Sequence, residues 1–223
     1  MSRSVEASLS VVLVNYKGAV FLDDLLGDLE RQTIPPRDIL VVDNGSRDAS
    51  REIVRAHPQA TWMEASGNQG YGSAANAGLG RVRGSLILVG NTDLRVPETF
   101  VASALEAFAK HPEAALISPL ILRFDGLTVD SAGQYPAWNL HVRERGFGKA
   151  LETLPPLREG PCFSVCGAAT LISRNALEDL CLEGNNLYDP DFFMFWEDFE
   201  LGWRAQRRGL NVHFAPAIRI RHF

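Results

Sequence analysis

"LVVDNGSRDAS", residues 40–50, sets Asn44-Gly45, a strong turn pair, directly after an apolar run. Such a pair commonly closes a tight hairpin between antiparallel strands. The residues that follow decide otherwise. In SRDASREIVRAHP, Ile53, Val54 and the polar positions are spaced as on a helix, and Pro58 closes the segment. Ser46 and Asp48 stand where helix N-caps stand. With no second strand after the turn, the unit is strand–loop–helix, and the partner strand must run parallel.

The same grammar extends on both sides. Leu9–Val14 is a continuous apolar run, which reads as a strand buried on both faces. Val20, Leu22, Leu25, Leu26 and Leu29 follow at helical spacing before Pro35-Pro36, and Ile39–Val42 is the next buried strand. Thr61–Ala65 reads as a short strand, GNQGYGSAANAG as a glycine-rich loop entering a helix, and Ser85–Val89 as another buried strand. Glu98–Lys110 is helical, with Phe100, Val101, Leu105 and Phe108 on one side, and Ala114–Ser118 is a further strand. This alternation implies an α/β fold with a mostly parallel sheet covered by helices. From about residue 120 the pattern changes to Gly, Pro and Arg among scattered aromatics, read as loops and short antiparallel strands. Val165–Ser173, helices at 174–181 and 196–208, and terminal strands near 211–222 complete the chain. One domain of two halves, about 9–119 and 120–223, is the simplest organisation.

At 223 residues the chain is long enough for a substantial core, and its 46% hydrophobic and 22% charged composition is that of a soluble globular protein. A net charge of −5 argues against a nucleic-acid partner, which calls for a basic face. Cys162, Cys166 and Cys181 lack disulfide or zinc spacing and read as buried thiols in a reducing compartment. The N-terminus lacks a signal-type apolar region, and no apolar run approaches the ~20 residues that span a bilayer. A cytoplasmic protein is expected, with peripheral membrane contact left open.

In open parallel sheets, ligands collect beyond the carboxyl ends of the strands. Three such ends here are polar: Asn15-Tyr16, Asp43-Asn44-Gly45 and Asn91-Thr92-Asp93. Each alone reads equally well as a turn or cap; together on one edge they point to a ligand. Asp43 is placed to accept hydrogen bonds from a base or ribose. Gly70, Gly72 and Gly78 allow close backbone approach to a phosphate or sugar, with Asn68 and Asn76 as polar contacts. The loop lacks both GxGxxG after a strand and the phosphate-loop Lys-Ser/Thr, so dinucleotide and ATP readings lose ground. Asp93 stands where a hard cation is held between protein and diphosphate. In FFMFWEDFELGWRAQRRG, residues 192–209, Trp196, Phe199 and Trp203 form an apolar stripe, with Glu197 and Asp198 in the first helical turn. Acids at a helix N-terminus answer the dipole, but a carboxylate among aromatics is also how a general base is fixed. The residues alone leave both open.

The ordered set VNY (14–16), VVDNGSRD (41–48), NQGYGSAANAG (68–78), GNTD (90–93), CGA (166–168) and FWEDFELGWR (195–204) resembles family-2 glycosyltransferases of the GT-A fold, and is most similar to their rhamnosyltransferase-like branch. The resemblance runs from about residue 9 to 222. It implies transfer of a sugar from a nucleotide donor to a hydroxyl of a glycan or lipid-linked acceptor, with inversion and a divalent metal, Mg2+ or Mn2+. By position, Asp43 would bind the nucleoside, Asp93 the metal and diphosphate, and Asp198 would be the base, with Glu197 beside it. Asn15, Tyr16, Asn44, Asn68, Gly70, Asn76 and Asn91 would border the donor, and Gly167 and Ala168 the donor sugar or acceptor. His222 resembles a late histidine that joins the metal. One departure stands out: the usual Asp-x-Asp is Asn91-Thr92-Asp93, with an amide in place of the first carboxylate. The Gln-x-x-Arg-Trp motif of processive synthases is absent, which favours single-sugar transfer. Arg143, Arg145 and Lys149 are either surface charges or contacts to an anionic acceptor. The competing readings are a non-catalytic nucleotide-sugar-binding protein of this fold and a nucleotidyltransferase, whose glycine-rich, basic N-terminal loop is missing.

Overall fold

A computed structural model describes residues 7–139 and 141–223. Residues 1–6, where the signal-type region was sought, lie outside the described residues. The elements in order are β1 (Leu9–Asn15), α1 (Ala19–Glu30), β2 (Asp38–Asp43), α2 (Ser50–Ala56), β3 (Ala60–Glu64), α3 (Tyr71–Leu79), β4 (Leu86–Asn91), β5 (Leu94–Arg95), α4 (Phe100–Lys110), β6 (Ala114–Arg123), β7 (Val129–Ser131), β8 (Gln134–Pro136), β9 (Val142–Glu144), β10 (Gly160–Pro161), β11 (Ala169–Ser173), α5 (Leu177–Leu180), α6 (Glu197–Arg207) and β12 (Asn211–His222). A ten-stranded sheet runs β10-β12-β6-β11-β4-β1-β2-β3, with β5 on β12 and β7 on β6. β1, β2, β3 and β4 are parallel, as are β6 and β12. β11 is antiparallel to both β4 and β6 and joins the two blocks. β6 passes straight through the boundary drawn near residue 120, so both halves share one sheet.

Why an unbroken apolar run makes a strand here is visible in β1, which is buried at every position. Leu9, Val11 and Leu13 pack into one layer with Leu22 and Leu25 of α1 and Phe100 and Phe108 of α4. Val12 and Val14 face the other layer, with Ala74, Ala75 and Leu79 of α3 and Leu201 and Ala205 of α6. Helices cover both faces, and each buried Leu or Val contributes about 1.5–3 kcal/mol of hydrophobic stabilisation.

Several local expectations change. Val20 is 82% exposed, because α1 begins at Ala19 and turns Leu22, Leu25, Leu26, Asp28 and Leu29 inward. α2 starts at Ser50, beyond reach of Ser46 as a cap. Ser46 Oγ instead accepts from the Lys17 amide (2.8 Å), and Asp48 Oδ2 from the Ala19 amide (3.2 Å), tying the β2–α2 loop to the β1–α1 turn. Residues 174–181 form a 3₁₀ turn and one turn of helix. The terminal strands are one strand, β12, whose register on β6 breaks between Ala215 and Arg219, around Pro216.

Candidate active site

The parallel strands deliver their polar ends to one edge. Asn15 and Asp43 pair in register across β1 and β2, and Val14 pairs with Asn91 across β1 and β4. Gly45, at φ +89°, turns the chain out of β2 without a hairpin. The Asn44 side chain then holds the glycine-rich loop: Nδ2 donates to Asn68 Oδ1 (3.0 Å) and the Gly70 carbonyl (3.2 Å), and Oδ1 accepts from the Gln69 amide (2.9 Å). Gly70, at φ +88°, enters α3 with its Cα facing the Phe193 carbonyl so closely that a Cβ would lie 2.3 Å from that oxygen.

Asp43 sits behind this edge. Both its oxygens are engaged, Oδ1 by Asn15 Nδ2 (2.8 Å) and Oδ2 by the Ser46 amide (3.0 Å). It borders a smaller hollow with Asp48, Arg51, Trp62 and Glu64, while its neighbour Asn44 faces the main cleft.

β4 ends at Asn91, and Thr92-Asp93 leads into β5, which pairs Leu94 with His222 of β12. This brings His222 Nε2 to 3.4 Å from Asp93 Oδ1, while His222 Nδ1 meets Asp130 Oδ2 at 2.8 Å. Burial alone would lower the His222 pKa, but the hydrogen bond to Asp130 and the negative charges of Asp93 and Asp130 outweigh it and raise the value to about 9. Asp93 Oδ1 is buried without a hydrogen-bond partner. An orphaned carboxylate oxygen beside an imidazole, itself backed by a second carboxylate, fits a divalent cation that takes its remaining ligands from phosphate oxygens.

The opposite wall begins at α6. Phe195 and Trp196 adopt left-handed backbone angles, φ +67° and +74°, and swing the chain abruptly into the helix. Asp198 Oδ2 accepts from the Gly167 amide (2.7 Å) and Gln134 Nε2 (2.8 Å), and Oδ1 from the Phe199 amide (2.7 Å). Gln134 Nε2 also donates to Glu144 Oε1 (2.8 Å), and Ser131 to the other Glu144 oxygen. Burial raises the pKa of Asp198 and of Glu144, with these hydrogen bonds pulling back in each case. Glu197 is buried, its Oε2 unpartnered, and desolvation lifts it to about 7, opposed by its own amide and helped by the Asp198 charge. The walls are joined by the Asn91 amide donating to the Ala168 carbonyl (3.0 Å), next to Gly167. Tyr71 Oη donates to the Gly167 carbonyl (2.8 Å).

These elements enclose a cleft of about 560 Å³. Tyr16, Asn44, Asn68, Gly70, Asn91, Asp93, Gly167, Ala168, Glu197, Asp198 and His222 all line it. Asn15 and Asp43 stand just behind. Asn76 lies elsewhere: its Nδ2 donates to the Tyr188 carbonyl (2.7 Å) and its Oδ1 accepts from the Tyr188 amide (2.9 Å), clamping α3 to residue 188. Thr92, of the polar strand end Asn91-Thr92-Asp93, lines the cleft too, as do Gln134, Glu144, Tyr71 and Phe21, which the sequence reading does not single out. Tyr71 sits inside the NQGYGSAANAG motif; Gln134 and Glu144 belong to a short hairpin with no motif. Arg145 is not a free surface charge, because its guanidinium stacks on Phe214 at 4.3 Å. The thiols of Cys162, Cys166 and Cys181 are free, and burial raises the pKa of each, that of Cys162 to about 12.

The sequence model of "Glycosyl transferase family 2" matches residues 10–181. The chain belongs to glycosyl transferase family 2. Among curated relatives of this glycosyltransferase is an N-acetylglucosaminyl-diphospho-decaprenol L-rhamnosyltransferase of Mycobacterium tuberculosis, 27% identical over 96% of this chain and 75% of that one. A low-salt glycan biosynthesis hexosyltransferase of Haloferax volcanii is 26% identical over 92% of this chain and 63% of its own. Two solved structures share the GT-A fold. GalNAc-T7 with UDP, GalNAc and Mn2+ matches at TM-score 0.74 and 17% identity, over 99% of this chain and 44% of that one. A mannosyltransferase from Pyrobaculum calidifontis with GDP-Man and Mn2+ matches at 0.67 and 18%, over 98% and 57%. This glycosyltransferase therefore spans about half the length of those structures. Among its described residues no helix is long and apolar enough to cross a membrane.

Proposed function

We propose that this glycosyltransferase moves one sugar from a nucleotide-sugar donor, dTDP-rhamnose or a related nucleoside diphosphate sugar, to an acceptor hydroxyl with inversion. The observation that carries the reading is the pairing across one cleft of the partnerless Asp93 oxygen beside His222 with the triply hydrogen-bonded Asp198. Asp93 with His222 would hold a divalent cation, Mg2+ or Mn2+, which supplies positive charge where the departing diphosphate becomes more negative. Asp198 takes the proton of the acceptor hydroxyl as that hydroxyl's oxygen attacks the anomeric carbon and the bond from this carbon to the diphosphate oxygen breaks. The Gly167 amide and Gln134 aim that carboxylate, and burial raises its basicity. Asn44, Asn68 and Gly70 border the nucleotide, with Asn15 and Asp43 supporting from behind.

The N-terminal strands thus carry the donor half and the later segments the acceptor half. A lipid-linked acceptor is supported by the M. tuberculosis relative's named substrate and by the exposed Met194, Phe195 and Trp196 at the cleft. Cytoplasmic placement with peripheral contact at the inner membrane face belongs to the same reading. The test is transfer from a panel of nucleotide sugars by wild type and Asp198→Asn, with nucleotide binding followed by thermal shift with and without Mn2+. Transfer should fall ~10²–10⁴-fold in the variant while nucleotide binding persists. Equal rates would remove the base, and binding without turnover on every donor would favour a non-catalytic nucleotide-sugar-binding protein.

A further inference from the structure

We propose that His111, Glu159 and His213 form a second metal site, for zinc or a similar borderline transition metal, at the other end of β12 from the cleft. His111 follows α4, Glu159 precedes the two-residue strand β10, and His213 lies near the start of β12. His213 pairs with Ile117 of β6 and His222 with Arg123, so the trio sits about 20 Å along the strand from the cleft.

One ligand atom from each of the three side chains lies within 4.8 Å of the others. Ligand atoms around one tetrahedral zinc, at ~2.0–2.1 Å from it, are about 3.3 Å apart, so small ring and carboxylate rotations close the set. The two imidazoles stack with centroids 3.8 Å apart and planes 27° apart. Both Nε2 atoms address the same Glu159 oxygen, Oε1: His111 in direct contact, His213 at 3.6 Å, too far for a hydrogen bond. His213 Nε2 is buried and has no hydrogen-bond partner. A buried, unpartnered imidazole nitrogen costs free energy that a ligated cation would recover. Lys110 Nζ already holds the other Glu159 oxygen, Oε2, at 2.6 Å, which leaves Oε1 as the oxygen that faces both imidazoles.

Two imidazoles and one carboxylate favour zinc over magnesium, which prefers oxygen ligands alone. This separates the site chemically from the one at Asp93. Bound there, zinc would staple the end of α4 and the start of β12 to the segment leading into the short edge strand β10.

The test uses the full chain, stripped with chelator and dialysed against zinc chloride, with metal content and melting temperature measured together. One zinc per chain at micromolar concentration is expected in wild type and in Asp93→Asn. A hundredfold excess over Kd should raise Tm by about 5–10 °C. His111→Gln and Glu159→Gln should lose the zinc and the shift, and His111→Gln should keep its transfer activity. Absence of zinc from wild type at ~100 µM, zinc retained by both variants, or zinc lost in Asp93→Asn would each overturn the proposal.

Discussion

Replacing Glu197 by glutamine should stabilise the protein at alkaline pH while leaving its stability near pH 4.5 almost unchanged. Glu197 is 7% exposed, its Oε2 has no partner, and burial raises it from an ordinary 4.5 to about 7. A carboxyl raised in the native state binds its proton more tightly there than in the unfolded chain. Its stabilisation is therefore full below pH 4.5 and is lost as pH rises through about 7. The gap corresponds, at ~1.4 kcal/mol per pH unit, to an upper limit of about 3 kcal/mol. Glutamine has the same shape, carries no charge at any of these pH values, and so should not show that loss. Urea unfolding of both proteins at pH 4.5, 6 and 8 checks this, since groups common to the pair cancel in the difference. The variant should gain ~2–3 kcal/mol at pH 8, or roughly 5–10 °C in Tm. A stability difference that does not change between pH 4.5 and 8 would refute the account of Glu197 as a buried carboxylate raised by desolvation.

Gln134→Leu removes the donor shared by Asp198 and Glu144, so the acidic limb of the kcat/KM profile should move to higher pH; an unmoved limb would deny Gln134 its part in holding Asp198 ionised. Asn76→Ala should cost about 1–3 kcal/mol by stripping both hydrogen bonds from Tyr188, with donor KM unchanged. A tenfold rise in donor KM at normal stability would return Asn76 to the binding site. Gly202→Ala would put a Cβ 1.9 Å from Ser164 Oγ, the group that donates to the Asp198 carbonyl, and should destabilise by at least ~1–3 kcal/mol with loss of transfer. An unchanged Tm would contradict that packing.

What could be read from the sequence follows the physics of each segment. β1 and β2 are legible because burial on both faces demands an unbroken apolar run, and Asn44-Gly45 because the residues after it keep helical spacing. That Asp93, Asp198 and His222 share one cleft is legible through the segments that hold them. Gln134 and Glu144 are not, because three-residue strands of mixed polarity carry neither periodicity nor a turn signature. Asp130 behind His222 depends on a contact between residues 92 positions apart, which no local pattern records. Asn76 shows the opposite: a polar residue in a glycine-rich stretch reads as a ligand contact, while its side chain bonds the backbone of residue 188, away from the residues that line the cleft.

The antiparallel strand β11, wedged between β4 and β6, also bears on how the chain is made. On the ribosome β4 is complete at Asn91, but its neighbour begins only at Ala169. At typical translation speeds that interval lasts about 4–15 s, during which β4, apolar from Leu86 to Val89, has a bare flank. Slow decoding between those two points should therefore tax yield more than the same delay after residue 173.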